Sequence, residues 1–214
     1  MAQAIRILFL SSNPKDINRI RLDEEVREVD ERIRLGECRD QLELITHFAV
    51  RPRDVGQCLL RYRPHVLHFS GHGSLSDGIV LEDNNGQTKL VSVDALADLF
   101  ATIKDNLRVV VLNACYSAPQ AQGIRRVIEC TIAMERAIKD RSAIVFSAAF
   151  YEALAFGRNV RESFGLGVNA LKMEFPSESN IPALLMKKGI AAAQVYLALP
   201  ESDGHRDSNG VLTQ

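Results

Sequence analysis

An excess of charge of either sign is missing from this chain. Twenty-six Lys and Arg residues face 27 Asp and Glu residues, which leaves a formal net charge of -1. Such a balance supplies no overall pull towards nucleic acid or an anionic membrane, and neither is an expected partner. Long hydrophobic runs are missing too. No stretch approaches membrane-spanning length, and the apolar run Ile7 to Leu10 is too brief for the core of a secretory signal. The four cysteines, Cys38, Cys58, Cys115 and Cys130, form no C-x-x-C pair and follow no regular spacing. This argues against zinc and against a disulfide framework, and fits free thiols in a reducing cytoplasm, the expected location. There is no G-x-G-x-x-G and no P-loop lysine, so a nucleotide or phosphate site is disfavoured, and no metal or cofactor is expected. Internal repeats and low-complexity linkers are absent as well. What remains is a chain of 214 residues, 46% of them hydrophobic, enough for one domain with a sizeable core. The domain is expected over residues 1–199, with a polar, disordered tail over 200–214.

One stretch organises the rest. Pro64 opens it, and Val66, Leu67 and Phe69 read as a buried strand that breaks at Ser70-Gly71-His72-Gly73. Two glycines around a histidine are expected to turn the backbone sharply and to bring its N–H groups close to a ligand. A histidine so placed is suited to proton transfer.

Strands and helices alternate around this stretch. Ile5 to Leu10, Leu42 to Val50, Leu107 to Leu112 and Cys130 to Met134 read as strands. Val109-Val110-Val111-Leu112 is apolar throughout, as a strand buried on both faces in a parallel sheet would be. Arg21 to Leu35 reads as an amphipathic helix with Leu22, Val26, Val29 and Ile33 on its apolar stripe and its charged residues solvated. Further helices are expected over Asp54 to Tyr62, from Ser92 or Asp94 to about Phe100, over Ala118 to Val127, Asp140 to Ala155, and Val160 to Met173. Asp83-Asn84-Asn85-Gly86 lies between two short apolar runs and signals a hairpin. Asn180 to Ile190 is open between edge strand and helix. The pattern implies an α/β sandwich with a mainly parallel sheet, whose sites form at the C-terminal ends of the strands.

His72 follows one buried strand and Cys115 follows the next long one, so both belong to the same sheet edge. An imidazole beside a thiol can take its proton and make a nucleophile. The backbone N–H groups of Gly73 and Cys115 are then candidates for an oxyanion hole. Cys38, Cys58 and Cys130 read as buried or helix-side thiols without a role, and His47 and His65 as strand-flanking residues. His68 reads as a core histidine, or one supporting the site from behind.

His68-Phe69-Ser70-Gly71-His72-Gly73, followed by Val110-Val111-Leu112-Asn113-Ala114-Cys115-Tyr116-Ser117, closely resembles the CHAT group of caspase-like cysteine peptidases, relatives of caspases, metacaspases and separases. The likeness extends to Ile7-Leu8-Phe9-Leu10, to the Leu22-Asp23-Glu24-Glu25-Val26 helix and to Gly78-Ile79-Val80-Leu81-Glu82-Asp83. The resemblance implies a caspase-like three-layer sandwich with about six strands, His72 as acid/base, Cys115 as nucleophile, and Gly73 sharing the oxyanion hole with Cys115. Asn113 stands where caspases have glutamine and metacaspases aspartate, and the arginines of the caspase specificity pocket have no match. A basic residue at P1, the substrate position before the cut bond, would need an acidic pocket, for which Asp77 and Asp140 are the candidates beside Asn113. Asp140 reads more simply as a helix N-cap. The expected partners are a protein substrate and a regulatory protein. Activation is expected through that partner, as where a sensor releases relatives acting in bacterial immune pathways, or through cleavage in the loop Ser117 to Gly123. The alternative is a non-catalytic interaction module built on the same fold.

Overall fold

In a computed structural model of the chain, residues 4–74, 78–103 and 105–200 are described. Asp77 and the expected tail beyond residue 200 lie outside them.

The strands are β1 (Ile5–Ser11), β2 (Leu42–His47), β3 (Val66–Ser70), β4 (Gly73–Ser74), β5 (Gly78–Glu82), β6 (Thr88–Val91), β7 (Val109–Asn113), β8 (Cys130–Met134) and β9 (Pro182–Met186). The helices are α1 (Leu22–Leu35), α2 (Pro52–Tyr62), α3 (Val93–Thr102), α4 (Ala118–Ile124), α5 (Asp140–Ala155) and α6 (Val160–Glu174). Six strands make one sheet in the order β2-β1-β3-β7-β8-β9, parallel except for β9. The segment left open by its sequence is thus an antiparallel edge strand. The hairpin β5–β6 forms as the Asn-Gly turn predicts and joins β4 in a small second sheet.

Side chains alternate across the central strands and build two cores. Ile7, Phe9, Val66, Val109, Val111 and Ile132 pack against Val29 and Ile33 of α1, Phe146 and Phe150 of α5, and Leu171 of α6. Leu8, Leu10, Leu67, Phe69, Val110 and Leu112 pack against Leu59 of α2, Phe100 of α3 and Ile124 of α4. Burial on both faces explains why β3 and β7 lack the polar alternation of a half-exposed strand. Ser92 caps α3, its Oγ accepting from the N–H of Ala95. Residues 118–124 are helical, with Ala121 and Ile124 fully buried and Pro119 and Gln122 exposed.

Two details differ from the sequence reading of α1 and α5. Along α1 the buried positions are Leu22, Glu25, Val29 and Ile33, so Glu25, not Val26, completes the inward stripe. At α5 the capping position belongs to Lys139, which leaves Asp140 as the first helical residue with no capping hydrogen bond.

Candidate active site

Register places the candidate dyad. β3 and β7 are adjacent and parallel, with Ser70 opposite Asn113. His72 and Cys115 each lie two residues beyond that pair, so both leave the sheet at the same level on its C-terminal edge. The N–H of Gly71 donates to the carbonyl of Asn113 at 3.3 Å, which carries the ladder one step past the strands. Both side chains line one cleft, together with Glu25, Ser70, Asn113, Ile138 and Asp140.

Gly73 packs directly against Cys115. A Cβ at residue 73 would fall 1.9 Å from the Cys115 carbonyl oxygen and 3.0 Å from its carbon. At Gly71 it would meet the Phe69 ring and the Ser12 carbonyl, both at 2.9 Å. Neither glycine has a positive φ. The expected sharp turn is therefore not what requires them; the need is room for two loops to touch.

The loop that carries Cys115 is held from both sides. Tyr116, next to the thiol, adopts a left-handed conformation at φ 58°, uncommon for a residue with a side chain. Its N–H reaches the Arg136 carbonyl at 3.4 Å. The Ser117 hydroxyl donates to the carbonyl of Leu112 at 2.8 Å and accepts from the N–H of Met134 at 2.9 Å, which ties the loop to β7 and β8. The Cys115 thiol points at the Ile138 carbonyl, 3.7 Å away. His72 Nε2 is buried without a partner among the described residues. The segment carrying Ile138 is anchored by Glu178, which accepts from the Lys139 N–H at 3.0 Å and pairs with its ammonium at 3.2 Å.

Behind the cleft lies a polar cluster that the sequence reading assigned in part to solvent. Glu25 is 3% exposed and His68 is fully buried. His68 stacks on Phe9 at 4.2 Å, and its Nδ1 is 3.1 Å from the Tyr151 hydroxyl. His68 Nε2 lies 3.1 Å from Glu25 Oε1. The same oxygen accepts from Asn113 Nδ2 at 2.6 Å and from Ser147 Oγ at 2.7 Å, while Glu25 Oε2 accepts from the Ser70 hydroxyl. Burial pushes the Glu25 carboxyl up, but the His68 contact and the serine hydroxyls together outweigh it and hold the group below the ordinary carboxylate range. The signal for Glu25 was available: it stands three residues after Leu22 and four before Val29, on the inward face.

The structure thus brings together His72, Gly73, Cys115, Asn113 and Asp140 and adds Glu25. His65 stays apart, its Nδ1 accepting from the Arg6 N–H at 3.1 Å. Burial raises the Cys130 thiol to about 11 and pushes Cys38 and Cys58 upward as well. No group of three potential metal ligands occurs among the described residues, and no described helix is long and apolar enough to cross a membrane.

A central, mainly parallel sheet of six strands with helices on both faces is the caspase-like architecture. Solved structures agree at the level of fold: caspase-1 from Spodoptera frugiperda aligns over 86% of each chain with a TM-score of 0.57 and 10% identity. An Arg-specific cysteine proteinase, gingipain R, aligns over 91% of this chain and 47% of its own, with a TM-score of 0.59 and 9% identity. Residues 3–165 match the CHAT domain, and the chain belongs to that family of the caspase-like cysteine peptidase fold. Among curated relatives, a "Probable protease" from Gillisia limnaea is 27% identical over 174 residues, 79% of this chain and 31% of that protein. A "Roc-COR-CHAT protease" from an unknown prokaryotic organism is 26% identical over 184 residues, 82% of this chain and 17% of that protein. The chain therefore spans less than a third of either relative's length.

Proposed function

We propose that this chain is a cysteine endopeptidase domain acting on protein substrates through Cys115 and His72. The observation that carries the reading is the contact of the Gly73 and Cys115 backbones, with His72 and Cys115 on a common cleft. His72 takes the proton of the Cys115 thiol. The sulfur adds to the peptide carbonyl carbon, and the oxygen gathers negative charge. The Cys115 N–H, which makes no hydrogen bond among the described residues, and that of Gly73 donate to this oxyanion. Collapse breaks the C–N bond, and the leaving amine takes the proton from His72. Water then adds to the thioester, giving a proton to His72. The C–S bond breaks, a carboxylic acid leaves, and the thiol recovers its proton. Asp140 lines the cleft and pairs with no described residue, which supports a basic residue at P1. A partner that shifts the segment around Ile138 would turn the thiol from that carbonyl to His72, consistent with activation by a regulatory protein in a bacterial signalling pathway.

Incubation with a peptide library, read by mass spectrometry, tests the reading. Cleavage is expected with the intact sequence and is abolished in both Cys115→Ala and His72→Ala. Cleavage that persists in Cys115→Ala refutes it. A second reading, a non-catalytic interaction module, draws on the thiol's contact with Ile138 in place of His72. It predicts no cleavage of any peptide, and partner binding that Cys115→Ala leaves intact.

A further inference from the structure

Resting on the dyad of that reading, we propose that Glu25 is its positioning residue: the carboxylate bridges the ends of β3 and β7 and so sets the spacing of His72 and Cys115. Ser70 and Asn113 are register partners and the last residues of their strands. Each is followed by one residue and then by His72 or Cys115. Glu25 meets both from α1. Its Oε2 accepts from the Ser70 hydroxyl, and its Oε1 accepts from Asn113 Nδ2 at 2.6 Å. One side chain thus holds the two points from which the reactive residues depart. The backbone holds them less firmly: past the last ladder pair, the Gly71 N–H reaches the Asn113 carbonyl at 3.3 Å, longer than an ordinary N–H···O bond.

The bridge is itself fixed from behind. Ser147 of α5 donates to Glu25 Oε1 at 2.7 Å and accepts from Asn113 Nδ2 at 3.2 Å. His68 Nε2 lies 3.1 Å from the same oxygen, and the bridge is the same whichever protons His68 carries. Packing alone does not call for a carboxylate here. The other buried positions of α1 are Leu22, Val29 and Ile33, and a glutamate 3% exposed carries a desolvation cost that an apolar side chain avoids. What an apolar side chain cannot do is hold a hydroxyl and an amide at once. Glutamine can: its Oε1 accepts from Asn113 while its Nε2 donates to the Ser70 hydroxyl. Shape, hydrogen bonding and charge at position 25 can therefore be separated by substitution.

The test reads the pair without a substrate. Cys115 is alkylated with iodoacetamide at pH 6 and followed by mass spectrometry, in proteins with and without His72→Ala. At that pH an unassisted thiol is only about 0.3% ionised, so loss of the imidazole is expected to slow the wild type about tenfold. In Glu25→Met this His72 effect is expected to fall below about twofold, and Glu25→Gln is expected to restore it. Melting curves establish that each variant is folded; a merely structural Glu25 lowers Tm and leaves the His72 effect intact. Where Glu25→Met does not fold, Ser70→Ala cuts the bridge at its other end and is expected to weaken the effect in the same direction. A full His72 effect in folded Glu25→Met or in Ser70→Ala overturns the proposal, as does a Glu25→Gln protein that behaves like Glu25→Met. The peptidase reading fails separately. With no His72 effect in the wild type and no peptide cleaved, that reading goes and the bridge goes with it. A His72 effect unmoved by Glu25→Met removes the bridge and leaves the peptidase.

Discussion

Replacing Gly73 with alanine tests the central geometry with a single methyl group. The added carbon would sit 1.9 Å from the Cys115 carbonyl oxygen, where ordinary contact is about 3.5 Å. The two loops must therefore separate by about 1.5 Å. Overpacking of this kind costs about 1–3 kcal/mol, which at about 2–4 °C per kcal/mol lowers Tm by about 2–12 °C. A misplacement of about 1 Å in a reactive pair costs about 100-fold in rate, so kcat/KM on a cleaved peptide should fall at least that far while the protein stays folded. The control is Gly165→Ala on α6. Nothing lies within 4 Å of the new carbon there. Relief of helical glycine should add up to about 1 kcal/mol and leave kcat/KM unchanged. Calorimetry and steady-state kinetics on the two variants suffice. A Gly73→Ala protein that retains wild-type kcat/KM would show that the Gly73–Cys115 contact does not set the site.

Other outcomes follow from the same structure. Iodoacetamide at pH 8 should modify Cys115 in the native protein and spare Cys130, whose thiol is buried and raised to about 11; labelling of Cys130 before unfolding counts against the fold described. Glu25 and Glu178 both have folded pKa values below the ordinary glutamate value of 4.5. Their stabilising contributions are therefore complete above that value and disappear as pH falls through the folded pKa of each. Urea midpoints should hold steady from pH 7 to about 5 and drop below about 4. In Glu178→Gln the acid loss should be smaller, and an unchanged profile would remove Glu178 from the account.

Much of this arrangement was legible in the sequence. The alternation of apolar runs with amphipathic helices carries the sheet, and the two strand-end motifs carry the candidate dyad, because strand length and register are local properties. Other features depend on tertiary contact. Nothing near Pro182 indicates that β9 runs antiparallel, since direction is set by its pairing with β8. The glycines of the histidine loop suggested a turn, yet Gly73 answers to the Cys115 backbone and Gly71 in part to the Ser12 carbonyl, both distant in the chain. Glu25 looked like one more charge on a polar helix. Its role emerges only when Ser70, Asn113 and Ser147, from three distant elements, converge on its carboxylate.

The β3–β7 pairing also ties reactivity to global stability. The candidate sulfur and imidazole follow the two innermost strands, which are bound to each other residue by residue over Val66 to Ser70. Fraying at the sheet's margins, at β2 or β9, leaves their spacing untouched. Separating them means opening the centre of the molecule, the last part of such a structure to come undone. Heat inactivation and loss of the fold should therefore trace one curve, and a protein weakened at its periphery should keep its chemistry until the whole gives way.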